Sequence, residues 1–146
     1  MAVLNDEQTM LRDMAREWVD NEAPVSAFRK LRDGAPPEGF DAATWGEIGQ
    51  MGWPGIVVPE DYGGSAFGYL SLGLVLEQMG RNLVASPLAS SAVAATAIAE
   101  GGSDAAKQAW LPKIASGEVI AALAIDEGPR HDRRIEASVS GGKLTG

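Results

Sequence analysis

The sequence predicts a mainly α-helical protein, in which an N-terminal bundle of five to six helices is followed by the first strands of an incomplete β domain. Two observations lead to this fold class. Apolar residues recur at helical spacing, between capping and breaker residues, as far as residue 118. Beyond it, a short apolar run over 119–125 and an alternating stretch around a Gly-Gly pair over 135–144 are typical of strands.

Length and charge exclude several classes of protein. A chain of 146 residues, 45% hydrophobic and 22% charged, has enough material for a single globular core. The net charge of −8 argues against a nucleic-acid partner, which needs a basic face on the protein. Without cysteine, and with His131 as the only histidine, the sequence offers no metal site. No segment approaches the ~18 apolar residues of a membrane span, so we expect no membrane contact and a cytoplasmic location.

The first helix is predicted to begin near Asp6, because Asn5 and Gln8 can form a capping box around its start. Pro24 then either ends this helix or starts a second, shorter one over 25–31. The apolar positions of the first helix share one face. They are Leu11, Met14, Ala15, Trp18 and Val19.

A surface loop over 33–39, rich in glycine and proline, precedes the third helix. Asp41 is placed to cap that helix, and Gly52 to end it in the left-handed conformation. The apolar side of the helix carries Trp45, Ile48 and Met51. The apolar residues 53–58 that follow predict a short, buried crossing segment.

Two adjacent glycines, Gly63 and Gly64, predict a tight turn at the end of the 59–64 loop, with positive φ or a close backbone approach. The next helix, over 69–79, is apolar on all sides, so we expect it to be central and buried.

The last two helices are marked by their termini. One is expected to start at Ser86, with Pro87 at its first position, and to end before Gly101-Gly102. The other is capped by Ser103 and interrupted by Pro112. Its predicted apolar positions are Ala106, Trp110, Leu111 and Ile114.

Five segments, taken in order and spacing, have the character of family motifs. They are LNDEQ at 4–8, WGEIGQMGW at 45–53, VPEDYGG at 58–64, LEQMGR at 76–81 and GSDAAKQAWLPKIASGE at 102–118. Together they resemble the N-terminal helical domain of the acyl-CoA dehydrogenase family. We therefore expect this helical domain at 1–118 and the start of a truncated middle β domain at 119–146.

The resemblance implies a parent flavoprotein that removes hydrogen from Cα and Cβ of an acyl-CoA thioester. In this family a glutamate in the C-terminal helical domain takes the α-proton and FAD accepts the hydride. That domain lies outside this chain, so no residue is assigned as catalytic and the isolated fragment is predicted to be inactive. The resemblance also implies fatty acid or steroid catabolism, an acceptor of the electron-transfer flavoprotein type, and a homo- or hetero-oligomer such as a tetramer.

The resemblance places the flavin-binding loop at 122–132, where the family usually reads alTEPgaGSD and this chain reads ALAIDEGPRHD. It implies flavin contacts from Leu123, Ile125 and Asp126, and a substrate contact from Asp132. Asp126 takes the place of the family's Thr and adds a negative charge beside the flavin ring. Asp132 takes the place of the family's Ser, and a carboxylate there repels CoA phosphates. An alternative is therefore a non-catalytic partner subunit, as in the paired acyl-CoA dehydrogenases of sterol-degrading bacteria, or a helical interaction module without flavin.

The resemblance also assigns the acyl pocket to the helix that begins near residue 85. The positions facing the acyl chain would be Ala85, Ser86, Ala89 and Val93. Side chains this small leave a wide groove, which suits a branched or ring-bearing acyl thioester, or else they serve close packing between helices. We also expect exposed apolar surface on the helices and strands, where the rest of the parent protein would pack.

Overall fold

A computed structural model describes residues 3–125 and 136–145 and confirms the predicted fold class. These ranges contain six α-helices and one small antiparallel sheet. The helices are α1 (Asp6–Glu22), α2 (Val25–Gly34), α3 (Ala42–Gln50), α4 (Gly68–Arg81), α5 (Leu88–Gly101) and α6 (Asp104–Ala115). Short 3₁₀ turns occur at Trp53–Gly55 and Glu60–Tyr62, and the strands are β1 (Ser138–Ser140) and β2 (Lys143–Thr145). None of the described helices has the length and apolar character needed to cross a membrane.

Side-chain caps begin three of the helices where the sequence predicts them. At α1, Asn5 Oδ1 accepts from the Gln8 amide at 2.7 Å, and Gln8 Oε1 accepts from the Asn5 amide at 3.1 Å. At α3, Asp41 Oδ1 accepts from the backbone amide of Thr44 at 2.8 Å and from its hydroxyl at 3.0 Å. Ser103 caps α6 in the same way. Each cap satisfies amides that have no partner within the helix.

The Asp41 cap makes the stability of the fold depend on pH. Hydrogen bonds from the amide and hydroxyl of Thr44 hold the pKa of Asp41 below its ordinary value of 3.8. A lowered pKa in the folded state contributes stability above the ordinary pKa, and this contribution is lost as the pH falls through the folded-state pKa. Asparagine caps equally well but does not titrate. We expect Asp41→Asn to match wild type in urea unfolding at neutral pH and to be the more stable protein below pH 3.8. An equal loss of stability in the two proteins as the pH falls would contradict this expectation.

The described core consists of two clusters of buried residues. The first joins α1, α3 and α4 with the start of α5, and its members are Leu11, Ala15, Val19, Trp45, Ile48, Trp53, Ile56, Leu72, Val75, Met79, Leu88 and Ala92. The second lies between α5 and α6, and its members are Val58, Ala95, Leu111, Ile114 and Ala115. The predicted crossing segment 53–58 is buried as expected and contributes to both clusters.

The 59–64 loop turns tightly, as its glycines predict. Gly63 adopts φ of 80°, the left-handed region that favours glycine. Gly64 lies against Val58, where a Cβ would come 2.0 Å from the Val58 carbonyl oxygen. The chain then runs back over the crossing segment, with the Ala66 amide donating to Val58 O at 3.1 Å and the Phe67 amide donating to Ile56 O at 2.9 Å.

The C-terminal end of α6 is held against α3. The Trp45 indole Nε1 donates to the Gly117 carbonyl oxygen at 3.0 Å, 72 residues further along the chain. At the same place Gly49 faces Gly117, and a Cβ on Gly117 would meet Gly49 Cα at 3.3 Å. The absence of side chains at these two glycines allows the close approach.

Four expectations about the helices are wrong. α4 is not buried on all sides, because Leu70 is 48% exposed on its outer face. Pro112 does not interrupt α6, which continues to Ala115; proline removes one amide donor, and packing of Leu111 and Ile114 on either side keeps the helix intact. The expected apolar position Trp110 is also exposed, at 48%. α5 begins at Leu88, so Ala85 and Ser86 precede the helix and Pro87 is its N-cap residue.

Of the two predicted β segments, the described residues form one. β1 pairs with β2 around Gly141-Gly142, with Val139 opposite Leu144, which confirms the hairpin. The expected strand over 119–125 is wrong: the described part of the chain provides no neighbouring strand, and the Val119 amide donates instead to Lys113 O at 3.0 Å. The domain boundary after residue 118 stays a prediction.

Candidate functional site

The outer face of α5 is the part of the predicted acyl site that the structure presents as open surface. Ala89 and Val93 lie four residues apart on this face, and both are exposed. The opposite face is buried in the core. Close packing of small residues therefore accounts for Ala92, Ala94 and Ala95, and not for Ala89 and Val93 among the described contacts.

The other two predicted acyl-site residues do not join this face. Ser86 Oγ accepts from the Leu88 amide at 3.3 Å, so its hydroxyl helps to start α5. Ala85 lines a cavity of about 40 Å³ beside α2, together with Phe28 and Val84, and Ala89 and Val93 are not among its lining residues. The structure thus brings together Ala89 and Val93, and places Ala85 at the separate cavity beside α2.

A polar pair borders the open face of α5. The Tyr69 hydroxyl on α4 donates to Thr96 Oγ1 at 3.3 Å, and the Thr96 hydroxyl donates in turn to Ala92 O at 2.9 Å. Tyr69 is 63% exposed, so its ring presents apolar surface while its hydroxyl is bonded to α5. Sequence reasoning counted residue 69 only as part of an apolar helix and missed this contact.

The segment after α6 is fastened to the buried side of α5. Ser91 Oγ accepts from the Ala121 amide at 3.3 Å and donates to the Ala121 carbonyl oxygen at 3.4 Å. Val119 and Ala121 pack on the second core cluster. Sequence reasoning also missed Ser91, which lies among the alanines and serines of α5 with no motif to mark it.

The predicted flavin contacts lie just beyond this fastening. Leu123 and Ile125 are exposed, and their backbone N–H and C=O groups have no hydrogen-bond partner within the described residues. Such groups are available to a ligand whatever the side chain. Asp126 and Asp132 lie outside the described residues. As far as the described residues extend, the backbone at 123 and 125 therefore fits the contacts that a flavin ring would need.

Acid–base or metal chemistry finds little support in the described part of the chain. No three His, Cys, Asp or Glu side chains come close enough there to hold a metal ion. Glu60 and Asp61 lie in the 3₁₀ turn Glu60–Tyr62, and both are exposed. The arrangement suits apolar contact and backbone hydrogen bonding.

Comparison with known proteins relates the chain to one family. Residues 5–118 match the family described as "Acyl-CoA dehydrogenase, N-terminal domain". The chain is 34% identical over 125 residues to the acyl-CoA dehydrogenase FadE12 of Mycobacterium tuberculosis, covering 84% of this chain and 31% of that relative. The chain thus spans about a third of this curated relative.

Two solved structures share the fold. One is the ChsE4-ChsE5 complex from Mycobacterium tuberculosis, with a TM-score of 0.84 at 29% identity, covering 100% of this chain and 40% of that chain. The other is a variant of the Tcur3481-Tcur3483 steroid ACAD, with a TM-score of 0.83 at 29% identity, covering 97% and 40%.

Proposed function

Since this chain belongs to the acyl-CoA dehydrogenase family, in which it matches the N-terminal domain, we propose that its parent protein is an FAD-dependent acyl-CoA dehydrogenase. The observation that carries the proposal is the open, small-residue face of α5. The backbone groups of Leu123 and Ile125, which have no partner within the described residues, add to it. An apolar face suits an acyl chain, and backbone N–H and C=O groups suit a flavin ring.

The chain's own part in the reaction is binding and orientation. Bound FAD would supply the hydride acceptor. Leu123 and Ile125 would hold its ring through their backbone groups, and Asp126 would do so through its own. The face formed by Ala89 and Val93 would exclude water from the acyl chain. The proton-removing base lies outside this chain in the proposal, as does the acceptor of the electron-transfer flavoprotein type.

We propose a branched or ring-bearing acyl thioester as substrate, within lipid catabolism. Support comes from the small side chains on the open face of α5 and from the likeness to a protein described as a steroid ACAD. Likeness to a complex of two named chains, ChsE4 and ChsE5, favours an oligomeric parent protein.

The proposal is tested by the flavin content of the full-length parent protein. We expect a yellow protein with a flavin absorbance band that oxidises an acyl-CoA, whereas residues 1–146 alone give no turnover. A colourless parent protein would overturn the proposal, as would dehydrogenation by residues 1–146 alone. A colourless parent that gains flavin only on mixing with a second subunit would instead support a non-catalytic partner subunit, which the acidic residues at 126 and 132 favour.

Substitution Ala89→Leu tests the acyl groove. The isobutyl side chain that replaces the methyl group would occupy space beside Val93, so we expect kcat/KM for a ring-bearing acyl-CoA to fall roughly tenfold or more, with little change for a short linear one. Ala105→Leu, on the exposed first turn of α6, is the size-matched control. Equal losses for the bulky and the linear substrate in Ala89→Leu would contradict the groove.

A further inference from the structure

We infer that Ser91 is a positioning residue, which fixes how the segment 119–125 lies on α5 and thereby which backbone groups are presented to the proposed flavin. The first half of this role, the placement of 119–125 on α5, rests on contacts of the described residues alone. The second half, the presentation of backbone groups to the flavin, rests on the proposed function.

Ser91 is used differently from its neighbour on the same helix. Ser90 is exposed, and its hydroxyl donates locally to Pro87 O at 2.9 Å, as serine in a helix commonly does. Ser91 is fully buried, and its hydroxyl bonds across 30 residues to Ala121. A buried hydroxyl must be satisfied, and here its partner is another segment of the chain.

The two hydrogen bonds between Ser91 and Ala121 replace the bonds that a neighbouring strand would make. In an extended chain, the N–H and C=O of one residue point to the same side, where a neighbouring strand would bind both. Ser91 Oγ accepts from that N–H and donates to that C=O. The side chains at 119 and 121 are half-buried while Ile120 between them is exposed, an alternation typical of extended backbone.

The pairing at Ala121 determines the side to which the backbone groups of the following residues point. In an extended chain, backbone groups of alternate residues point to the same side, and an extended course from Ala121 would give 123 and 125 the same orientation as Ala121. A slip of one residue would present 122 and 124 instead. Leu123 and Ile125 are the residues to which flavin contacts are assigned, and Ser91 is the fastening nearest to them in the described chain.

Hydrogen exchange at the Ala121 amide tests the first half on residues 1–146. We expect Ser91→Ala to exchange this amide roughly tenfold faster, because its acceptor is lost. Alanine is the better helix former, so global unfolding should change little. Ser91→Thr keeps the hydroxyl and should restore protection, and Ser90→Ala should match wild type. Unchanged Ala121 exchange in Ser91→Ala would overturn the inference.

Flavin affinity of the full-length parent protein tests the second half. We expect Ser91→Ala to weaken FAD binding roughly tenfold and to shift the bound-flavin absorbance spectrum, with Ser91→Thr and Ser90→Ala close to wild type. Faster Ala121 exchange with unchanged FAD affinity would overturn the flavin role of Ser91. A wild-type parent that binds no FAD would overturn the proposed function, while the exchange experiment would still decide whether Ser91 fixes the segment.

Discussion

Replacement of Gly64 by alanine is expected to destabilise the protein by about 3 kcal/mol, the upper range for overpacking a filled site. The new Cβ would lie 2.0 Å from the Val58 carbonyl oxygen and 2.5 Å from the Val58 carbonyl carbon. These are backbone atoms of the buried crossing segment, so no side-chain rotation can relieve the clash. The loop must move away, and the amide of Ala66 then loses its bond to Val58 O.

Urea unfolding measures the effect, with Gly73→Ala as the matched control. Gly73 is exposed on α4, and a Cβ there meets nothing within 4 Å. In that position alanine should stabilise the helix by roughly 0.5–1 kcal/mol. The two substitutions are chemically identical and should have opposite signs. A Gly64→Ala protein as stable as wild type would show that the loop is not confined by the crossing segment.

Truncation of Leu111 to alanine is expected to cost about 3 kcal/mol, within the range for a buried leucine. Leu111 is fully buried in the second core cluster, which has few members to close around a cavity. The same cluster supports Val119 and Ala121. The loss should therefore also loosen the segment that follows α6.

Leu70→Ala on α4 is the control for Leu111→Ala. Leu70 is 48% exposed, and its truncation should change stability by no more than about 0.5 kcal/mol, as for surface substitutions. Thermal unfolding of both variants, followed by circular dichroism, gives the comparison. Similar costs for the two leucines would mean that the second cluster is not a packed core.

The starts of α1, α3 and α6 could be predicted from the sequence because their causes are local. Asn5, Asp41 and Ser103 begin helices through bonds to residues only three positions away. Gly52 and Gly63 adopt positive φ, for which glycine is the residue of choice. Pro112 does not interrupt α6 because its local penalty is opposed by tertiary packing, which the sequence does not display.

The candidate site was only partly predictable for the same reason. Ala89 and Val93 share a helix face because of their spacing, and the structure leaves that face open. The contacts of Tyr69 with Thr96 and of Ser91 with Ala121 join residues 27 and 30 positions apart. No local pattern distinguishes Ser91 from Ser90. No strand forms over 119–125 within the described residues, because a strand requires a neighbouring strand and an apolar run alone does not reveal whether one is present.

The hydrogen bond from Trp45 to Gly117 and the bonds from Ser91 to Ala121 together hold the chain that follows α6. These two contacts lie four residues apart. Between them the Val119 amide bonds to Lys113 O and the Val119 side chain packs on the second core cluster, so the helical body directs the route of the chain. Glu118 and Ile120 both point into solvent on this short bridge. Substitutions of Glu118 and Ile120 should therefore be tolerated. Loss of the Trp45–Gly117 or the Ser91–Ala121 contact should instead change the course of the residues that follow.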